Sequence, residues 1–179
     1  MTICDARRSR AAVLILSLAL VAVGCKRHRV TVQTIEEGPA LASMVAVADP
    51  HVASQLVSGF YGVEQNSWRW TAGRFSVLLR PPRTAAANGA VLQLKFSLPD
   101  AAMSKMKAVS LSAYVNGTAL APESYTQAGQ FVYIRDVPAS LLAGDVSRVD
   151  FALDKTVPPS GTDQRELGLV VSLVGFQPK

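Results

Sequence analysis

Three segments of this chain alternate apolar and polar residues along their whole length: residues 91–98, 108–115 and 146–153. Successive side chains of a β-strand point to opposite faces of its sheet, so this alternation predicts strands with one buried side and one solvent-facing side. The alternation therefore restricts the chain to folds that are built from half-buried strands.

Shorter apolar runs and turn signals extend this pattern to the end of the chain. Asn116-Gly117 follows the second alternating segment, and Asn-Gly is the strongest short hairpin signal because both residues tolerate a positive φ. The strands recur at the spacing of a sandwich, with no strongly amphipathic helix between them. We predict an all-β fold, a single antiparallel β-sandwich of the jelly-roll kind over residues 57–179, with further strands at residues 74–79, 130–135 and 167–176.

The apolar sides of these strands supply the core candidates. Neighbouring residues on a strand face opposite ways, so two adjacent candidates cannot both point inward. The candidates are Val91, Leu92, Leu94, Phe96, Val109, Leu111, Phe131, Phe151, Val170 and Leu173.

Residues 1–24 have the three parts of an export signal. Arg7, Arg8 and Arg10 form a basic start, residues 11–23 are uncharged and apolar, and the small Gly24 closes the segment. The apolar run is shorter than the roughly 20 residues of a membrane-spanning helix, which disfavours a permanent transmembrane anchor.

The sequence Ala-Val-Gly-Cys at residues 22–25 resembles the lipobox of bacterial lipoproteins. The resemblance implies cleavage before Cys25, acyl chains on that cysteine, and the lipid bilayer of the cell envelope as a partner. Lys26 in the next position favours the outer membrane. Lipoboxes usually have leucine where Ala22 stands, and small residues also suit an ordinary signal peptidase. The alternative is a soluble protein that begins with an unmodified Cys25.

Residues 25–56 are predicted to form a tether with a short helix near residues 40–46. The Lys-Arg-His-Arg sequence at residues 26–29 would lie against anionic lipid headgroups. The other cysteine, Cys4, belongs to the signal, so the mature chain can form neither an internal disulfide nor a thiolate metal site. Nucleic acid is not an expected partner, because the sequence has no basic stripe interleaved with aromatic residues.

Two motifs resemble the start and the end of a β-sandwich module found in bacterial cell-envelope and glycan-assembly proteins. The first is Gly-Phe-Tyr-Gly-Val-Glu at residues 59–64, followed by Trp-Arg-Trp-Thr at residues 68–71. The second is Asp-Gln-Arg-Glu-Leu-Gly at residues 163–168, before the last apolar strand. The resemblance covers residues 59–176 and implies a role close to glycans, without assigning a biochemical activity.

Tyr61, Trp68 and Trp70 are the aromatic candidates for ligand binding. The two tryptophans are two residues apart, so on one strand they would point to the same side. Aromatic faces stack on the apolar face of a sugar ring. Both tryptophans could equally fill the core of the sandwich.

Charged residues form the second candidate group. If the first and last strands are neighbours, an arginine–carboxylate pair could join the two motifs with fixed geometry. Arg69 and Arg165 are therefore either ligand contacts or bridge partners, and Glu64, Asp163 and Glu166 are the expected structural ion-pair residues.

The sequence contains no motif typical of a catalytic, metal-binding or cofactor-binding site. His28 lies in the tether, and no Gly-x-Ser-x-Gly elbow, metal-ligand spacing or phosphate loop occurs. The expected function is a non-catalytic, membrane-anchored module that binds a glycan or a glycan-handling protein. The alternatives are a structural lipoprotein that docks on an envelope protein and, with Glu64 and Asp163 as its acid pair, a glycoside hydrolase.

Overall fold

The computed structural model describes residues 41–179, which form ten β-strands, two short α-helices and two 3-10 turns. The predicted export signal, Cys25 and most of the predicted tether lie outside the described residues. The helices are α1 Ala85–Asn88 and α2 Asp100–Met106, and the 3-10 turns are Pro50–Gln55 and Ala139–Leu141. The strands are β1 Met44–Ala46, β2 Leu56–Glu64, β3 Trp68–Leu79, β4 Ala90–Leu98, β5 Val109–Val115, β6 Thr118–Ala119, β7 Glu123–Tyr125, β8 Gly129–Val137, β9 Ser147–Leu153 and β10 Val170–Pro178.

The strands pair antiparallel in one sheet that curls on itself, in the order β6-β5-β9-β3-β10-β4-β8. The C-terminal half of β3 pairs with β9, whereas its N-terminal half pairs with β10 through Arg69 and Trp70. β3 therefore carries the sheet from one layer of a sandwich into the other. β1 adds to β10, β2 to β3 and β7 to β5. The prediction of an all-β antiparallel sandwich is confirmed.

The core lies between the two layers. Phe75 and Phe151, from neighbouring strands, stack with their ring centres 4.9 Å apart. Seven of the ten core candidates are buried, and Val91, Phe131 and Leu173 are half-buried. Val91 shares the outer side of β4 with the exposed Lys95, and Leu173 follows an irregularity in the pairing of β10 with β4. Val91 thus fits the alternation of inward and outward side chains in β4, whereas this alternation is interrupted in β10 just before Leu173.

The start of the described chain differs from the expected helix. Met44–Ala46 is a strand that pairs with residues 173–175 of β10. Val45 and Val47 are fully buried, and burial of a valine side chain contributes roughly 1.5–3 kcal/mol. The Gln55 side chain accepts a hydrogen bond from the Ala42 N–H and donates to the Ala42 carbonyl, at 2.8 and 3.0 Å. The sandwich therefore begins before residue 57.

Short elements complete the fold. The hairpin at Asn116-Gly117 is confirmed, since φ is +50° and +84° at these residues and Val115 pairs with Thr118. Helix α2 was not expected, and it buries Met103 and Met106. No helix within residues 41–179 has the length and apolar character to cross a membrane.

Candidate ligand-binding groove

Thr71 joins the two sequence motifs at the level of the backbone. Its N–H donates to the Leu169 carbonyl at 2.8 Å, and its carbonyl accepts from the Gly168 N–H at 2.7 Å. Its buried hydroxyl oxygen accepts from the Leu169 N–H at 3.0 Å. Residue 168 is glycine because a Cβ there would lie 2.8 Å from the Thr71 hydroxyl and 2.7 Å from a Leu153 methyl. These contacts fix β3 against the segment that leads into β10.

Arg165 joins the motifs a second time, through an ion cluster with Glu64 and Asp163. Its Nε and Nη2 donate to the two Asp163 carboxylate oxygens at 3.0 and 2.8 Å, and its Nη1 donates to Glu64 Oε1 at 2.8 Å. The hydrogen bonds from Arg165 lower the pKa of Asp163 to about 2, and the same bonds raise the pKa of Arg165. The three side chains keep 35–40% of their area exposed, so the cluster lies at the surface.

Tyr61 and Arg69 are also occupied by contacts within the chain. The Tyr61 hydroxyl donates to the Glu166 carbonyl at 2.8 Å, and the Arg165 guanidinium carbon lies 5.4 Å from the Tyr61 ring centre. Arg69 donates to the carbonyls of Val47, at 2.6 Å, and of Tyr61, at 2.8 Å. The Glu166 carboxylate accepts from the Thr156 hydroxyl at 2.7 Å instead of meeting an arginine.

The two tryptophans have different surroundings. Their rings meet edge to face with centres 6.3 Å apart. Trp70 packs against the hydrophobic core, whereas Trp68, at the first position of β3, lines an open groove. Of the five ligand-binding candidates, Trp68 is thus the one that lines this groove.

The groove crosses the outer side of four neighbouring strands, β3, β10, β4 and β8, and has a volume of about 470 Å³. Directly paired residues point to the same side of a sheet, and Ser97 is paired with Val170 on one side and with Gln130 on the other. Lys95 and Val132 form the next pair on the same side. Phe96 and Phe131 also border the groove, but they alternate with these residues along β4 and β8, so their rings lie on the opposite side of the sheet, with centres 5.7 Å apart.

Ser172 enters the groove because β10 is irregular there. The register of β10 with β4 shifts between Val171 and Leu173, which leaves Ser172 as the extra residue. Its carbonyl accepts from the Val47 N–H at 3.1 Å, and its hydroxyl donates to the Lys95 carbonyl at 3.4 Å. A bulge commonly redirects a side chain in this way.

Sequence reasoning missed Lys95, Ser97, Gln130 and Ser172. The alternation of residues 91–98 placed Lys95 and Ser97 on the solvent side of a strand. It could not identify the neighbouring strands, because β3, β8 and β10 come from distant parts of the chain.

Few other groups among the described residues are candidates for catalysis or metal binding. Glu64 and Asp163, the acids considered as a glycosidase pair, are both bound to Arg165. His51 is exposed on the first 3-10 turn, where its N–H donates to the Asp49 carboxylate at 2.9 Å. Within residues 41–179, no cluster of three or more histidine, cysteine or acidic side chains is placed to hold a metal ion.

No protein-family model matches the chain. No curated protein matches its sequence. Among solved structures, it is similar to a carbohydrate-binding module of family 36 in complex with calcium and xylotriose, with a TM-score of 0.41, 10% identity, and coverage of 75% of this chain and 98% of the module. It is also similar to the CBM36-1 domain of a multidomain xylanase from the hindgut metagenome of Trinervitermes trinervoides, with a TM-score of 0.43, 12% identity, and coverage of 72% and 94%. A third similarity is to dimeric latent PorU from Porphyromonas gingivalis, with a TM-score of 0.38 and 8% identity. The match covers 58% of this chain and 10% of the PorU chain.

Proposed function

We propose that this protein is a lipid-anchored, non-catalytic component of the bacterial cell envelope whose sandwich binds a saccharide in the groove beside Trp68. The observation that carries the saccharide site is the combination of one indole ring with hydroxyl and amide side chains along the same groove. A sugar ring presents an apolar C–H face, which stacks on an aromatic ring, and a rim of hydroxyl groups, which need hydrogen-bond partners.

The groove offers both kinds of contact. Trp68 provides the aromatic face, and Ser97, Gln130 and Ser172 provide groups that can donate and accept hydrogen bonds. The floor is fixed before a ligand arrives, because β10 and β4 are paired along their length. A preformed groove spares the ligand much of the cost of ordering the protein.

The lipid anchor is supported by the sequence of residues 1–25, with its basic start, apolar run and Gly-Cys junction. A lipidated Cys25 would hold the sandwich at a membrane through residues 26–40. This part of the proposal is independent of the groove and has its own test.

A docking site for another envelope protein is the second candidate function. β8 is the last strand in the sheet order, and its outer side exposes 44% of Val132 and 53% of Ile134. Exposed apolar side chains on a terminal strand are a common basis for protein contacts. A protein partner on β8 would require Val132 and Ile134 and would leave Trp68 dispensable.

The two tryptophans provide the test of saccharide binding. We expect Trp68→Ala to abolish retention on a glycan array while it shifts the melting temperature by no more than a few degrees. Trp70→Ala removes a ring that packs against the core, so we expect it to lower the free energy of unfolding by on the order of 3 kcal/mol. Full glycan retention by Trp68→Ala would contradict the proposed site, and a wild-type protein that retains no glycan would contradict saccharide binding itself.

A further inference from the structure

The groove beside Trp68 has one ionisable side chain, that of Lys95. Lys95 lies on β4, next to the terminal strand β8, with Leu173 of β10 and Val132 of β8 as its direct neighbours. The apolar neighbours can cover its methylene groups, while the ammonium group, on an exposed residue, stays at the surface.

No carboxylate of the described residues pairs with Lys95. The ion pairs within residues 41–179 use Arg135, Arg148, Arg165 and Lys179 as their cations. Glu64, which lies opposite Trp68 in the pairing of β2 with β3, is bound by Arg165. The positive charge of the groove is therefore not cancelled by an acidic side chain in contact with it.

Trp68 and Lys95 lie on the same side of the sheet, two strands apart. Neighbouring strands are separated by about 4.8 Å, so roughly 10 Å separates the backbones of these two residues. One ligand can therefore stack on the indole and reach the ammonium group at the same time, with the Ser172 hydroxyl on the strand between them.

We infer that the groove selects acidic saccharides, whose carboxylate or phosphate group is bound by Lys95 while a sugar ring stacks on Trp68. This inference rests on the proposed saccharide site and adds the class of its ligand. An ammonium group attracts both kinds of anion as a point charge. A hydrogen bond to a charged group is stronger than one between neutral groups, so the anion adds affinity that a neutral sugar lacks.

The experiment compares three ligands of equal length: a neutral oligosaccharide, the corresponding oligomer of uronic acids, and the neutral oligomer with a phosphate substituent. Affinities are measured by calorimetry for the wild-type protein, Lys95→Gln and Trp68→Ala. Lys155→Gln is the matched control, because Lys155 is an exposed lysine on the loop after β9 and lies outside the groove.

We expect the wild-type protein to bind at least one acidic ligand about tenfold more tightly than the neutral one. Lys95→Gln should remove this advantage by lowering the affinity for the acidic ligands much more than that for the neutral one, whereas Trp68→Ala should weaken the binding of all three. The uronic-acid and phosphate arms show which anion is preferred. The preference should also decrease from 50 mM to 500 mM salt, because the ammonium group is exposed to solvent.

Equal wild-type affinity for neutral and acidic ligands would overturn the inference and leave the proposed saccharide site intact. A loss of acidic preference in Lys155→Gln as large as that in Lys95→Gln would also overturn it, because the effect would then be one of net charge. A wild-type protein that binds none of the ligands contradicts the proposed function, and the inference falls with it.

Discussion

Most motif side chains identified from the sequence hold the fold together. Tyr61 and Arg69 bind main-chain carbonyls, and Arg165 binds two carboxylates. Trp70 packs on the core, which leaves Trp68 in the groove. The spacing of the two tryptophans correctly predicted that they share one side of a strand. It could not predict that only Trp70 packs against the core, because that contact depends on strands from other parts of the chain.

The ion cluster of Arg165, Glu64 and Asp163 predicts a pH dependence of stability. Asp163 has a folded-state pKa of about 2, below its ordinary value of 3.8. A lowered pKa stabilises the fold fully above the unfolded-state value, and this contribution is lost as the pH falls from 3.8 towards 2. We expect Arg165→Ala to lower the melting temperature by a few degrees at pH 5 and by clearly less at pH 2.5.

Arg83→Ala is the control, because Arg83 is exposed and forms no ion pair within residues 41–179. Its effect on the melting temperature should be small and equal at the two pH values. Equal losses for Arg165→Ala at pH 5 and pH 2.5 would show that the cluster does not act through Asp163.

At the scale of elements, local alternation was sufficient for β4, β5 and β9, because each has one buried side and a regular register. It failed for β1, whose three residues are too few to display a period. It also failed to place Ser172, because the bulge in β10 depends on the partner strand β4. The sandwich was predictable from the sequence, whereas the groove required pairings between distant segments.

The contact of β1 with β10 predicts that Gly175 tolerates no side chain. A Cβ at this position would collide with the Ser43 carbonyl oxygen and lie 2.6 Å from Met44 Cα. Both are backbone atoms, so β1 itself would have to move. We expect Gly175→Ala to lower the free energy of unfolding by about 2–3 kcal/mol in urea titrations.

Gly62→Ala is the matched control, since no atom lies within 4 Å of a Cβ built there. Its unfolding midpoint should stay close to that of the wild-type protein. A Gly175→Ala variant as stable as Gly62→Ala would mean that β1 is not held against β10 as described.

The proposed attachment through Cys25 should be separable from the folding of the sandwich. Cys25 lies outside the described sandwich, so Cys25→Ala should move the protein from the membrane fraction to the soluble fraction without a change in melting temperature. Mass spectrometry of the wild-type mature N-terminus should detect an acylated Cys25. Cys4→Ala is the control and should remain lipidated, because Cys4 lies in the predicted signal. A mature protein with an unmodified Cys25 would refute the anchor.

The two ends of strand β3 have different surroundings. The Arg80 N–H, just past the end of β3, donates to the Ala42 carbonyl at 3.1 Å, so the described chain starts beside that end, whereas Trp68 and the groove lie at the other. Twelve residues of strand cover roughly 35–40 Å. Within residues 41–179, the groove and the start of the described chain therefore lie at opposite ends of β3, so a support attached at residue 41 would leave the groove open to large ligands.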